Sequence, residues 1–160
     1  SAAECGKIEI ISIKQAITYL GTNKIKQYVA IISMSTLSSD SPLELFVESL
    51  VRAKMMELIA EESAFSHLKE KAFLTGILSN LDAILNLPMQ KIMVDYNFSQ
   101  DIKLALSKQQ GALSELLEMA KHYEFSDTGN VAHLVNTHDI AESTLFNCYC
   151  ESLKWGMSLV

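Results

Sequence analysis

Between residues 72 and 87 (AFLTGILSNLDAILNL) apolar side chains recur at Phe73/Leu74, Ile77/Leu78, Leu81 and Ile84/Leu85. That is the three-four spacing of a helical stripe. Apolar residues also spread to the flanks of the stripe, and the one charge is Asp82. The pattern predicts a helix covered on most sides. A membrane span would need about 20 mainly apolar residues, and Ser79, Asn80 and Asp82 interrupt this one. The segment reads as the central buried helix of an all-α, multi-helix bundle.

The rest of the chain follows the same period. Ser12 is placed to cap SIKQAITYL, with Ile13, Ala16, Ile17 and Leu20 on one face and Gly21 as the stop. Ile8 to Ile11 either run extended or simply lead in. A second helix is expected at about 23–37, with Ile25, Tyr28, Val29 and Ile32 inward, then a turn at 38–41. Ser41-Pro42-Leu43-Glu44 starts a helix to about Ala60 by cap serine, first-turn proline and capping-box glutamate. In it Leu43, Phe46, Val47, Leu50 and Leu58 should point inward, and Glu48, Arg52 and Glu57 outward. Pro88 opens a short helix to about Val94. Ser99 caps residues 100–108, and Gly111 opens GALSELLEMAKHYEF. There Leu113, Leu116, Leu117 and Ala120 form the stripe, while Ser114, Glu115, Glu118 and Lys121 face water. A loop at 126–130 follows. Thr137 is expected to cap a last helix at 138–157, with Ala141, Leu145, Cys148 and Trp155 inward. No repeat or long linker divides the chain, so the whole of 1–160 reads as one domain.

Composition narrows the function. With 160 residues, 49% of them hydrophobic, a single domain can bury about 70% of the surface its unfolded chain exposes. A net charge of −6, with scattered lysines and arginines, disfavours a surface that tracks nucleic-acid phosphates. Cys5, Cys148 and Cys150 are odd in number and form no CxxC pair. They read as reduced thiols, and with no spanning segment or signal peptide a cytoplasmic location is expected.

The central stretch resembles the HDOD family, a degenerate form of the HD-type metal-hydrolase fold that serves as a signalling module. The family pattern runs roughly Ala-Phe-Leu-x-Gly-Leu-Leu-His-Asp-Ile-Gly-Lys. Residues 72–78 match it, and then Ser79 and Asn80 stand in place of the His and Asp, with Asp82 and Ala83 in place of the Gly and Lys. The phrase from Ser12 to Gly21 is similar to a second family signature at the right distance upstream. A Ser-x-Leu-Asp phrase like Ser79-Asn80-Leu81-Asp82 resembles the branch found behind EAL domains, which act on cyclic di-GMP. Ser1-Ala2-Ala3 resembles a run that follows the family's first helices. The resemblance therefore implies that those helices lie upstream, in a longer parent.

The resemblance also bears on chemistry. In metal-binding HD relatives the helix at 42–60 carries an early histidine ligand, and the alignment puts Ala53 there, within a residue or two. With Ala53, Ser79 and Asn80 at ligand positions, it implies no bound metal, no cofactor and no catalysis. The literal pair His138-Asp139 falls at a helix start, where an acid suits the positive end of the dipole. His67, His122 and His133 form no HExxH or HxxxH spacing. Ser79 as a nucleophile would need a neighbouring base and an oxyanion cradle, and the sequence signals neither, so Ser79 and Asn80 are expected to have structural or packing roles. Asp82 must find a partner such as Arg52, Lys54 or a helix amide, or else floor a residual ligand pocket. The expected function is a non-catalytic regulatory module working through protein contacts, with an EAL domain in the same parent or a second copy as partner, and no nucleic acid or membrane. The rivals are a metal-dependent HD-type phosphohydrolase and a degenerate nucleotide-binding domain.

Overall fold

The computed structural model describes residues 9–19, 21, 26–27, 42–125 and 131–159. The expected helix at 23–37, the turn at 38–41, the Ser41 cap and the loop at 126–130 lie outside these residues, except that 26–27 are helical. Helix α1 covers 13–19. It is followed by α2 (Pro42–Glu61), a 3-10 turn (Ser66–Leu68), α3 (Lys69–Leu78), α4 (Leu81–Leu85) and α5 (Met89–Asp95). Then come α6 (Gln100–Lys108), α7 (Ala112–Phe125), α8 (Val131–Thr137) and α9 (Glu142–Met157). No strand forms among the described residues, and the all-α expectation holds.

Local chemistry explains several ends. The Gln15 amide donates to Ser12 Oγ at 3.2 Å, and the Ile11 amide donates to Gln15 Oε1 at 3.0 Å, so the start of α1 is tied on both sides. The lead-in is extended at one point. Ile10 pairs in parallel with the segment before α6, donating to Asn97 O at 2.8 Å and accepting from Ser99 N at 3.1 Å. Gly21 and Gly111 both have positive φ, where glycine carries no Cβ penalty. Ser99 precedes α6 as expected, but its hydroxyl donates to Asp101 rather than accepting a helix amide.

Four expectations are corrected. First, the stretch 72–87 is not one central helix. It is α3 and α4 with a break at Ser79-Asn80. Ser79 Oγ donates to Gly76 O at 2.6 Å, and such side-chain bonds compete with the helix ladder.

Second, α2 turns a different side inward. Ser49, Arg52, Ala53, Met55, Met56, Ile59 and Ala60 are buried; Leu43 is exposed, and Phe46, Val47, Leu50 and Leu58 are half-buried. At 3.6 residues per turn this face lies roughly 130° from the one led by Leu43, Phe46, Val47 and Leu50. Methionine, alanine and Ile59, rather than the largest hydrophobes of the helix, fill this core beside the two satisfied polar groups Ser49 and Arg52. Helix α2 packs on α3, α9 and α7, which makes it at least as central as α3.

Third, Thr137 does not cap the last helix. It ends α8, donating to His133 O at 2.7 Å. His138, Asp139 and buried Ile140 form a turn, with Asp139 at φ 50°, and exposed Ala141 precedes α9. Fourth, Ser114 on α7 is buried, while Leu113, Leu116, Leu117 and Ala120 line the core as their spacing predicts.

Candidate functional site

Ser79 and Asn80 lie where α2, the α3–α4 break and α7 meet. Helix α2 delivers Arg52, which is 1% exposed. Its Nε donates to Glu124 Oε1 at 2.8 Å and Oε2 at 3.1 Å, and Nη2 forms a short bond to the same carboxylate. Its Nη1 donates to Ser79 Oγ at 2.8 Å and to Asn80 Oδ1 at 3.0 Å. Glu48, one turn earlier, stands 3.8 Å from Nη2. Asn80 Nδ2 donates to Glu48 Oε2 at 3.1 Å and Leu45 O at 3.3 Å. One planar guanidinium thus joins three elements, the fork geometry that suits arginine rather than lysine.

A charge removed from water needs this many partners, since an unpaired buried ion costs several kcal/mol. The surroundings of Arg52 act on Lys121 as well. Burial and then the Arg52 charge lower the Lys121 pKa below the usual lysine range, against the opposing pull of Glu124, Asp82 and Glu118. Asp82 is therefore part of the field around this cluster. Of the partners expected for it, Arg52 is bonded to Glu124 and Lys54 to Glu57, the latter at 2.7 Å.

Ser79 and Asn80 are both engaged in the network. Ala53 is buried one residue beyond Arg52 and carries no donor atom. Arg52 and Glu124 were the residues missed: Arg52 was expected outward, and Glu124 lies 72 positions away. The available signal was Arg52's place beside Ala53, inside the margin of the early-histidine alignment. Among the described residues no buried side-chain nitrogen or oxygen lacks a partner, and no three His, Cys, Asp or Glu side chains converge in a metal-binding group.

The histidines are dispersed. His138 pairs with Glu115 and meets the Phe65 ring edge-on at 4.8 Å. His67 and His133 are exposed, and half-buried His122 meets the Tyr123 ring at 4.9 Å. No single described helix is long and apolar enough to cross a membrane.

Two curated relatives match the chain. The protein named cyclic di-GMP phosphodiesterase CdgJ, from Vibrio cholerae, is 36% identical over 120 residues, covering 75% of this chain and 28% of its own length. YuxH of Bacillus subtilis, an uncharacterized protein, is 31% identical over 155 residues, covering 95% of this chain and 37% of its own length. The chain therefore spans about a third of the length of each relative. No solved structure matches it. The model of the HDOD domain matches residues 1–121, which takes in α1 to α6, the Arg52–Ser79–Asn80 junction and most of α7; the chain belongs to the HDOD domain family.

Proposed function

We propose that this chain is the non-catalytic regulatory module of a cyclic di-GMP signalling protein, acting through protein contacts on an EAL domain in the same parent chain in the cytoplasm. The observation that carries the reading is the bonding of Arg52. A guanidinium already holds Ser79 Oγ and Asn80 Oδ1, the oxygens that stand where the family resemblance puts metal ligands. Two-metal hydrolysis needs side chains that hold the ions and lower the pKa of bound water. The Ala53 methyl, a serine hydroxyl and a neutral amide engaged by a cation are a poor donor set for hard divalent ions. The printed name of the Vibrio cholerae relative supports the cyclic di-GMP context, and a module covering 28% of that protein leaves ample chain for a separate catalytic domain.

The test compares cyclic di-GMP turnover by the parent with and without this module, and by the module alone with Mn or Mg ions. The expected result is no turnover by the module alone and a changed rate when it is removed from the parent. Metal-dependent hydrolysis by the isolated module would overturn the reading in favour of an HD-type phosphohydrolase. Specific nucleotide binding without turnover would favour the degenerate nucleotide-binding alternative.

A further inference from the structure

Helices α5 and α6 leave a cleft of about 400 Å³ between them, lined from α5 by Met93 and Val94 and from α6 by Lys103, Leu104 and Lys108. Met93 is buried and Leu104 half-buried, while Val94 is 81% exposed, the most open of the large apolar side chains described. The charges around this apolar floor have one sign. No carboxylate of the described residues lines the cleft. Neither Lys103 nor Lys108 forms an ion pair among the described residues, whereas Lys71 and Lys91 are held by Asp101 and Asp95. The stretch 88–110 carries three lysines and two aspartates, in a chain whose net charge is −6. Both aspartates are the ones already paired, so the charge left at the cleft is positive.

We infer that this cleft is a docking groove for an acidic amphipathic helix from the remainder of the parent chain. An apolar floor with two unpaired lysines matches a segment whose apolar residues recur at helical spacing with Asp or Glu beside them. A cleft between two helices offers an entering chain no strand edge, so the segment must satisfy its own backbone, as a helix does. Helix α6 lines the groove from Gln100 to Lys108; at 1.5 Å per residue that is about 12 Å, or about two turns of a partner helix. Other anionic guests fit less well. A nucleotide needs a ring on which to stack its base, and no aromatic side chain lines the cleft. An anionic membrane surface draws clusters of about four to eight lysines and arginines, and here there are two. A contact this small gains little on its own, but a flexible tether supplies an effective concentration of about millimolar order. The chain spans 28% and 37% of its two curated relatives, so a parent of that build has ample sequence to supply the helix. The groove gives the regulatory reading above a contact surface, and rests on that reading in needing a parent chain.

Zero-length carbodiimide coupling of the purified parent, followed by peptide mapping, tests the groove, because the reagent joins a lysine to a carboxylate only where the two touch. Lys103 or Lys108 should couple, within one molecule, to an Asp or Glu of a helix outside this module. Val94→Asp should cut that yield several-fold with both lysines intact. Lys103→Glu/Lys108→Glu should release the segment, seen as faster hydrogen exchange at 90–94 in α5; Lys108→Glu alone, at an exposed position, serves the same purpose if the double variant unfolds. Coupling of neither lysine to any residue outside the module would overturn the inference, as would a yield indifferent to Val94→Asp. So would coupling found only between two parent molecules, which makes the occupant a second copy. Binding of phosphatidylserine vesicles that is lost on exchanging the same lysines would assign the cleft to a membrane, and the proposal also falls. Cyclic di-GMP turnover is not read in this experiment. An empty groove leaves the regulatory reading standing, and metal-dependent hydrolysis by the module would remove that reading without changing the cross-links.

Discussion

Gly76 on α3 lies against the backbone of Ala53 on α2: a β-carbon added at Gly76 would stand 2.3 Å from Ala53 Cα and 2.7 Å from its amide nitrogen. The two helices touch main chain to main chain there. One residue before Ala53 is Arg52, and three and four residues after Gly76 are the Ser79 and Asn80 oxygens that Arg52 holds. The close approach at glycine is what lets one guanidinium reach across the interface.

Gly76→Ala should therefore be destabilising, although alanine is the better helix former. The obstacle is backbone rather than a flexible side-chain end, so the helices must separate, at a cost of about 1–3 kcal/mol or more. Denaturant unfolding measures it. An unchanged midpoint would mean that α2 and α3 are not in contact at this point.

Removing one partner of Arg52 should cost more than replacing the cation. Glu124→Ala leaves a buried guanidinium without its carboxylate and should lose about 3–5 kcal/mol. Arg52→Met keeps most of the volume and removes the charge, so its loss should be distinctly smaller. Thermal or denaturant melts of the two variants rank them, and the reverse order would mean that Glu124 is not the principal partner.

Acid sensitivity should track Asp101. Burial alone would raise its carboxyl, but hydrogen bonds from Lys71 and Ser99, the Lys71 charge and the Ile102 amide outweigh it and hold the pKa below the usual value. A carboxyl lowered by folding contributes stability above its unfolded pKa of about 3.9, and that contribution fades as pH falls through the folded value. Asp101→Asn should be less stable than the parent at pH 6, with the difference shrinking below about pH 4. A gap in melting temperature that is constant across this range would remove Asp101 from the account.

Cys148 should resist alkylation at neutral pH. Burial, followed by the charges of Glu62 and Glu151, pushes its thiol up to about 11. The nucleophile is the thiolate, so little is present. Peptide mapping after iodoacetamide should find Cys150, which is less buried, modified well before Cys148. The sign for stability is the reverse of the aspartate case. A thiol raised by folding stabilises below its unfolded pKa, about 8.5, and loses that contribution as pH climbs toward 11. Cys148→Ala should accordingly flatten the alkaline limb of the stability curve.

What the sequence by itself determined is whatever a helix needs locally. The Ser12 cap, the bounds of the helix at 100–108, the start after Gly111 and the inward stripe of Leu113, Leu116, Leu117 and Ala120 are set by side chains within a few positions of one another. The family was legible for the same reason: residues 72–78 and 12–21 are short contiguous phrases. The tertiary structure alone decided which side of α2 faces the core, where the stretch 72–87 breaks, and that Thr137 ends one helix instead of starting another. Arg52 shows why. Its burial depends on Glu124, 72 residues along the chain, and on two side chains across a glycine-narrow helix contact. Local spacing reports how polar a position is; whether a charge there faces water depends on which partners the rest of the fold brings to it.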